Sequence, residues 1–532
     1  MSTYDIILKN ARIVDGTGCP WYRGDVCIKD GKINFIGKID DDVNGIKVID
    51  VSDNVLSPGF IDIHCHYDLS LLSDPITLTA VNQGITTSVI SHCGLSPAPI
   101  REDKIDLIDK YVGYIKAGVD VKWDWRTFGE YLNKLEKVNL GMNIAAFVGQ
   151  GTIRLNVMGY DSRVPNSSEI KEMIYLAEEA MDDGAFGIST GLIYPPGVYS
   201  DFNEIVEITK VARKYNGVYL SHMRSETNNV VDAVKETIAI AEKANVPGQV
   251  GHHKACGKNN WGIVTETMEL LEKAREKGID MTVDQYPYNS ASSTLRAILP
   301  PWAQTGGVEK TIKRLEDPIL RKKIVKEVEL NEGYENFYRH SGGPDGVVIV
   351  YTPETPEYEG KKLSEISALI GKDPVELALD IIILNKGKDL CCFIMMNEDD
   401  IKYIMKHPFV MIGSDSIPSA YGAKGHPRTS GTFPRVLGKY VREEKVISLE
   451  EAIRKMTSLP ASRLNMQNKG LIKEGMDADI VIFNPDKIID KSDFMDPFRK
   501  PEGIDYVIVN GKITIEKGQF TGELAGKVIR RK

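Results

Sequence analysis

From about residue 59 onward, short runs of β-branched and aliphatic residues alternate with longer charged stretches whose apolar positions recur three and four apart. The runs FIDIHCH (60–66), ITTSVISHCG (85–94), MNIAAFVGQG (142–151), AFGISTG (185–191), VYLSHMR (218–224), PGQVGHHKA (247–255), MTVDQYPY (281–288) and PFVMIGSDS (408–416) read as strands. Intervening segments such as SSEIKEMIYLAEEAMDDG and NNVVDAVKETIAIAEKANVPG carry the helical period and end on a glycine. Strands and helices in this alternation predict an α/β chain folded as a (β/α)8 barrel of the TIM type, with its chemistry at the C-terminal ends of the strands.

Two regions break the rhythm. Residues 291–345, including GGVEKTIKRLEDPILRKKIVKEVEL, are rich in charge and helix formers and predict a subdomain or lid inserted between the last two barrel strands. VVIVYT (347–352) and CCFIMM (391–396) are also strand-like, so the choice of eight barrel strands is the most economical assignment. At the two ends, YDIILKNARIVDG, ADIVIFNP and DYVIVNGKITIEKGQF are short alternating strands with tight turns. They predict one small β-domain assembled from residues 1–58 and 467–532 around a barrel spanning 59–466. No internal repeat or low-complexity segment is present.

Composition narrows the function classes. With 532 residues and 42% hydrophobic content the chain can bury a large core, and 66 basic against 75 acidic residues leave a net charge of −9 without a long basic run. Nucleic acid and anionic membrane are therefore poor partners. No apolar stretch approaches the ~18–20 residues of a spanning helix, and the first thirty residues begin polar and carry acidic residues early, which predicts a soluble cytoplasmic protein. Seven cysteines, scattered and without CxxC spacing, argue against a disulfide framework.

Metal-ligand residues fall at the predicted strand ends. In PGFIDIHCHYD, His64 and His66 are one residue apart on a strand, so they share a face and can reach one ion. Cys93 in SHCG, His222 in SHMR, His252 in GHHKA and Asp415 in GSDS end four further strands. Singly each has an ordinary structural explanation; four of nine histidines at barrel strand ends do not read as chance.

PGFIDIHCHYD, ITTSVISHCGLSPAP, GISTGLIYPPG, LSHMR, GHHKACG, DQYPY, IGSDS and HPRTSGTFPRVLG, in this order, resemble the D-aminoacylase (N-acyl-D-amino-acid deacylase) branch of the amidohydrolase superfamily over nearly the whole chain. The resemblance implies a metal site built from His64, His66, Cys93, His222, His252 and Asp415, the cysteine standing where related enzymes use a carboxylated lysine or a glutamate. AFGISTG contains no lysine, which disfavours a hydantoinase-type site. Zinc accepts this mixture of donors. Cys93, His222 and His252 are expected to hold one ion tightly, and His64, His66 and Asp415 a second, weaker ion through a bridging sulfur. Asp415 is the expected general base and acid for a metal-activated water.

By the same resemblance Arg428, Tyr194, Tyr286 and Lys254 are expected to contact substrate. The guanidinium of Arg428, in a loop after the last strand, suits the α-carboxylate. Tyr288 and Arg296 are secondary candidates, the latter as a reader of an acidic side chain. His92 is expected on the face opposite Cys93, outside the metal ligands and either supporting them or serving the fold, His253 in packing, and His426 in orienting its loop. The expected reaction is zinc-dependent hydrolysis of N-acyl-D-amino acids, small-molecule substrates, to a carboxylate and a free D-amino acid. Hydrolysis of a cyclic amide or imide is the main alternative, and a non-catalytic scaffold the lesser one. Side-chain preference, acyl group and oligomeric state are left open by the sequence.

Overall fold

The computed structural model describes residues 3–40, 43–116, 119–330, 333–417 and 424–531. All eight expected barrel strands form, as Phe60–Asp62, Ile85–Ile90, Asn143–Ala146 continued by Val148–Gly149, Gly187–Gly191, Val218–His222, Gly248–Val250, Met281–Gln285 and Val410–Ile412. They pair in parallel as a ladder of three and a ladder running from Val148–Gly149 through to Val410–Ile412. At one seam Phe147 interrupts the third strand, its N–H still bonded to Ile90 O at 3.1 Å. At the other, a parallel bridge joins Cys65 to Ser416, and Asp415 N donates to His64 O at 2.7 Å. This second seam brings two predicted ligand-bearing strand ends side by side.

Local sequence accounts for the helices that cover the strands. In Ser167–Asp182 the buried residues Met173, Leu176, Ala177, Ala180 and Met181 follow the three-and-four spacing, and Asn166 caps the start by accepting from the N–H groups of Ser168 and Glu169. Helix Val230–Ala244 ends at Asn245 in the left-handed region (φ 54°), a conformation asparagine tolerates. Among the described residues no helix is long and apolar enough to cross a membrane, and all seven cysteines are free.

Both chain ends contribute to one nine-stranded sheet. Val55–Pro58 pairs with Tyr4–Ile13 on one side and with Ile480–Phe483 on the other, so the early and late segments meet at its centre. The strand-like runs outside the barrel also form: Val347–Tyr351 and Leu390–Ile394 join Ser290–Ser293 in an antiparallel three-stranded sheet. Residues 291–345 share this sheet's apolar cluster, in which Leu295, Ile324 and Phe337 pack with Ile349 and Phe393. The assembly follows the seventh barrel strand and touches residues at the strand ends, Ser293 Oγ lying 3.3 Å from the Tyr194 hydroxyl and Ser290 Oγ 2.8 Å from His426 Nε2.

Candidate metal centre

Where the strands end, the backbone departs from extended geometry. Ser91, Cys93, His252 and Asp415 have φ of 65°, 55°, 34° and 48°, a region that costs an L residue roughly 1–2 kcal/mol. These turns aim side chains across the barrel mouth. Cys93 Sγ lies 3.4 Å from His64 Nε2 and 3.5 Å from His252 Nε2, and His64 Nε2 lies 3.6 Å from Asp415 Oδ1. One donor atom from each of the four falls within 4.8 Å of all the others, and all four residues are buried. Tetrahedral ligands at zinc bond lengths stand about 3.3–3.7 Å apart. The N, S and O donors therefore fit a zinc ion in both chemistry and spacing.

The remaining expected ligands are adjacent. His66 Nε2 lies 3.2 Å from Asp415 Oδ1, and His222 Nδ1 lies 2.9 Å from His252 Nε2. His222 Nε2 and His66 Nδ1 are buried without a hydrogen-bond partner, the former 3.8 Å from Glu226 Oε1. The grouping differs from the expected one: Cys93 and His252 cluster with His64 and Asp415, while His222 and His252 form a second group with Glu226.

Two carboxylates that sequence reasoning missed stand behind the imidazoles. Asp284 Oδ1 is 2.9 Å from His64 Nδ1 and also accepts from His252 N at 2.7 Å, while Gln249 Nε2 donates to Oδ2 at 2.6 Å. An Nδ1 proton shared with Asp284 leaves the Nε2 lone pair of His64 facing Cys93. Glu226 Oε1 lies 3.0 Å from His252 Nδ1 and 2.5 Å from Lys254 Nζ. The available signals were the inward position of Asp284, two residues before Tyr286, and the spacing of Glu226 four residues after His222.

Electrostatics follow from burial. Burial pushes the Cys93 thiol well above its ordinary range, with Asp415 reinforcing it; ligation to a cation is what favours its thiolate. Burial holds His222 and His252 well below the usual histidine value, leaving neutral imidazoles suited to ligation. For Asp415 burial opposes ionisation, but Arg428 and the surrounding histidines prevail and hold it well below the usual carboxylate range.

The substrate candidates divide. Arg428 is buried, its Nη1 2.7 Å from Asp415 Oδ2 as an ion pair outside hydrogen-bond geometry, and its Nε and Nη2 face no protein acceptor. The guanidinium lies 4.7 Å from the ring centre of Tyr286, whose buried hydroxyl is also unpartnered. Lys254 is engaged with Glu226 and with the His252 carbonyl at 2.8 Å. Tyr194 stacks edgewise against His222, ring centres 5.1 Å apart, and its hydroxyl meets Ser293 Oγ at 3.3 Å. A cavity of about 50 Å³ has Cys93, Tyr194 and Arg296 in its wall. Tyr288 lies outside this group, its hydroxyl 3.4 Å from Pro427 O and from Asp490.

Two expectations are corrected. Arg428 opens the helix Arg428–Arg435 instead of lying in a loop; beyond Pro434 the chain continues as a π-helical turn, Val436–Glu443. His92 does not point away from the site: it stacks on His64 at 4.1 Å between ring centres, both ring nitrogens unpartnered. Strand alternation fails there because the strand stops at Ile90 and the backbone reverses hand at Ser91 and Cys93. His426 accepts from Arg428 N at 3.0 Å and its Nε2 meets Ser290 O at 2.9 Å, so it orients the start of that helix. His253 turns outward to Thr267 Oγ1 at 2.8 Å.

The amidohydrolase family model matches residues 47–515. D-aminoacylase of Alcaligenes xylosoxydans xylosoxydans is 32% identical over 99% of this chain and 98% of its own. The crystal structure of N-acyl-D-glutamate deacylase from Bordetella bronchiseptica, complexed with zinc and a phosphonate that mimics the tetrahedral intermediate, superposes with a TM-score of 0.84 at 30% identity, covering 99% of this chain and 100% of that one. A D-aminoacylase structure concerned with a binuclear metal centre, one-metal activation and second-metal attenuation superposes with a TM-score of 0.83 at 32% identity, with coverage of 99% and 100%. The chain belongs to the amidohydrolase family, in the branch of the D-aminoacylases and N-acyl-D-amino-acid deacylases.

Proposed function

We propose that this protein hydrolyses the amide bond of N-acyl-D-amino acids, releasing a carboxylate and a free D-amino acid, with zinc as its metal. The observation that carries the reading is the buried quartet His64, Cys93, His252 and Asp415 at ligand spacing, next to a guanidinium with two unpartnered nitrogens. His64, His66, Cys93, His222, His252 and Asp415 supply the ligands, one ion bound tightly and a second more weakly. A bound zinc ion polarises the scissile carbonyl and brings the pKa of water toward neutrality.

The chain's own groups do the rest. Asp415, ionised through its neighbours, takes a proton from the attacking water and returns it to the amide nitrogen as the C–N bond breaks. Arg428 Nε and Nη2 bind the α-carboxylate as a fork, and the Tyr286 hydroxyl adds a donor beside them. Lys254, held protonated by Glu226 against the cost of burial, contributes positive potential. Tyr194 offers its hydroxyl to the developing oxyanion. The D configuration is inferred from the relatives, since residue identities alone carry no handedness.

The test is amine release from matched N-acetyl-D and N-acetyl-L forms of Met, Leu, Phe, Glu and Asp, with and without a chelator. Chelator-sensitive turnover confined to the D series is expected. Turnover of the L series alone, or full activity after metal removal, overturns the reading.

A further inference from the structure

A second, larger cavity of about 540 Å³ lies beyond the centre, between the insertion and the segments that follow the fourth and fifth barrel strands. It shares Tyr194, Pro195, Ala297 and Gln304 with the small cavity that has Cys93 in its wall, so the two spaces lie side by side against the same residues. Its size falls within the roughly 300–1,000 Å³ of cavities that take whole organic ligands. An acetyl methyl group would leave most of it empty.

The lining selects for an apolar occupant. Ile193, Val198, Ala233, Leu299 and Phe337 supply hydrocarbon wall. The charged residues around them are already partnered. Arg224 is held by Glu236 at 3.0–3.2 Å and donates to Val198 O and Ser200 O. Asp232 pairs with Lys235 at 3.1 Å. Glu335 accepts from Thr227 Oγ1 at 2.8 Å and from Glu226 N at 3.2 Å. Glu335 has hydrogen-bond donors but, among the described residues, no cation beside it, so the charge that the lining carries is acidic and disfavours an anionic occupant, whereas apolar area awaits cover.

Direction then distinguishes which part of a substrate enters. Arg428 and Tyr286, the proposed carboxylate side, follow the eighth and seventh barrel strands, whereas Ile193–Val198 follows the fourth, three or more strands away in the order of the ladder, with Arg224–Glu236 after the fifth between them. A scissile carbonyl at the centre carries the amino acid on one side and the acyl group on the other. We infer that the large cavity is an acyl-chain site and that the preferred substrates carry medium-length aliphatic acyl groups in place of acetyl. This inference rests on the deacylase reading and adds a substrate class to it.

The experiment compares kcat/KM for N-acetyl, N-butanoyl and N-octanoyl derivatives of whichever D-amino acid is turned over fastest. A rise of about fourfold per added methylene is expected over the first few carbons, in keeping with hydrocarbon burial, and octanoate should inhibit far better than acetate. Ala233→Phe and Val198→Trp, which narrow the cavity from different walls, should each collapse the octanoyl-to-acetyl ratio, a ratio that partial misfolding leaves unmoved. Val198 is only half-buried, so its variant keeps the test open if Ala233→Phe does not fold. An acetyl substrate equal to or better than octanoyl overturns the acyl site while leaving the deacylase reading intact. An octanoyl preference untouched by both substitutions overturns the assignment to this cavity, and failure to hydrolyse any member of the series removes the deacylase reading and this inference together.

Discussion

The sheet built from the two chain ends and the mouth of the barrel are made by opposite rules. In the sheet, aliphatic residues such as Leu8, Val26, Ile28, Ile480 and Ile508 are fully buried, and the left-handed non-glycine residues Asn10, Asp30, Asn510 and Lys517 lie at irregularities or turns. At the mouth, left-handed backbone falls on buried Cys93, His252 and Asp415, and unpartnered polar atoms of His66, His92, His222, Tyr286 and Arg428 crowd together. Local sequence and global fold agree in the first region and conflict in the second. The conflict costs stability, and it marks where the chain is arranged to hold something else.

The sharpest way to break this comparison is to substitute at the mouth and look for lost chemistry with the fold retained. Asp415→Asn should lower kcat by about 10²–10⁴-fold, the scale of a lost general acid–base group, with the far-UV circular dichroism spectrum unchanged. Near-normal turnover would remove Asp415 from the mechanism. The reciprocal change is Ile480→Ala in the terminal sheet, expected to cost about 2–5 kcal/mol in denaturant unfolding while kcat per folded molecule stays the same. A large fall in that kcat would mean the two regions are coupled.

Smaller effects test the carboxylates behind the ligands. Glu226→Gln should weaken zinc affinity by about 10–100-fold, measured by chelator competition, because the amide holds neither the His252 Nδ1 proton nor the Lys254 charge as well. Zinc affinity equal to the parent would leave Glu226 a packing residue. Glu335, pushed up to about 7 by burial, tests the insertion's contact with the loop after the fifth strand. A carboxyl group that binds its proton more tightly when folded stabilises the protein at low pH, and that contribution declines as pH rises from about 4.5 to 7. Glu335→Gln should accordingly raise Tm relative to the parent at pH 7.5 more than at pH 5; a difference independent of pH would refute it.

Much of this was legible beforehand. The period of three to four in SSEIKEMIYLAEEAMD corresponds to the helix found there, because burying one face of a helix requires that spacing whatever surrounds it; FIDIHCH begins as a strand, but that strand stops at Asp62 with all three residues buried, so His64 and His66 lie past its end and strand alternation does not set their direction. The glycine expected to close the helix in NNVVDAVKETIAIAEKANVPG instead opens the next strand as Gly248, and the helix ends three residues earlier on Asn245. The direction of His92, though not its place outside the ligand groups, and the stretch after His426 were misread for one reason: both lie past the end of a regular element, where side-chain direction follows individual φ and ψ values and periodicity has nothing to say.

The sequence by itself determined the barrel's alternation, the apolar faces, and which side chains capable of binding a metal stand at strand ends, since each depends on neighbours a few residues away. Only the tertiary structure decided which donors share a site and what stands behind them. His64 meets Cys93, His252, Asp284 and Asp415 across 29, 188, 220 and 351 positions of chain, and separations of that order are fixed by strand order and register. The grouping of Cys93 with His64 and Asp415, the carboxylates of Asp284 and Glu226, and the cavity beside the segments after the fourth and fifth strands all arise from that long-range packing, which no local pattern encodes.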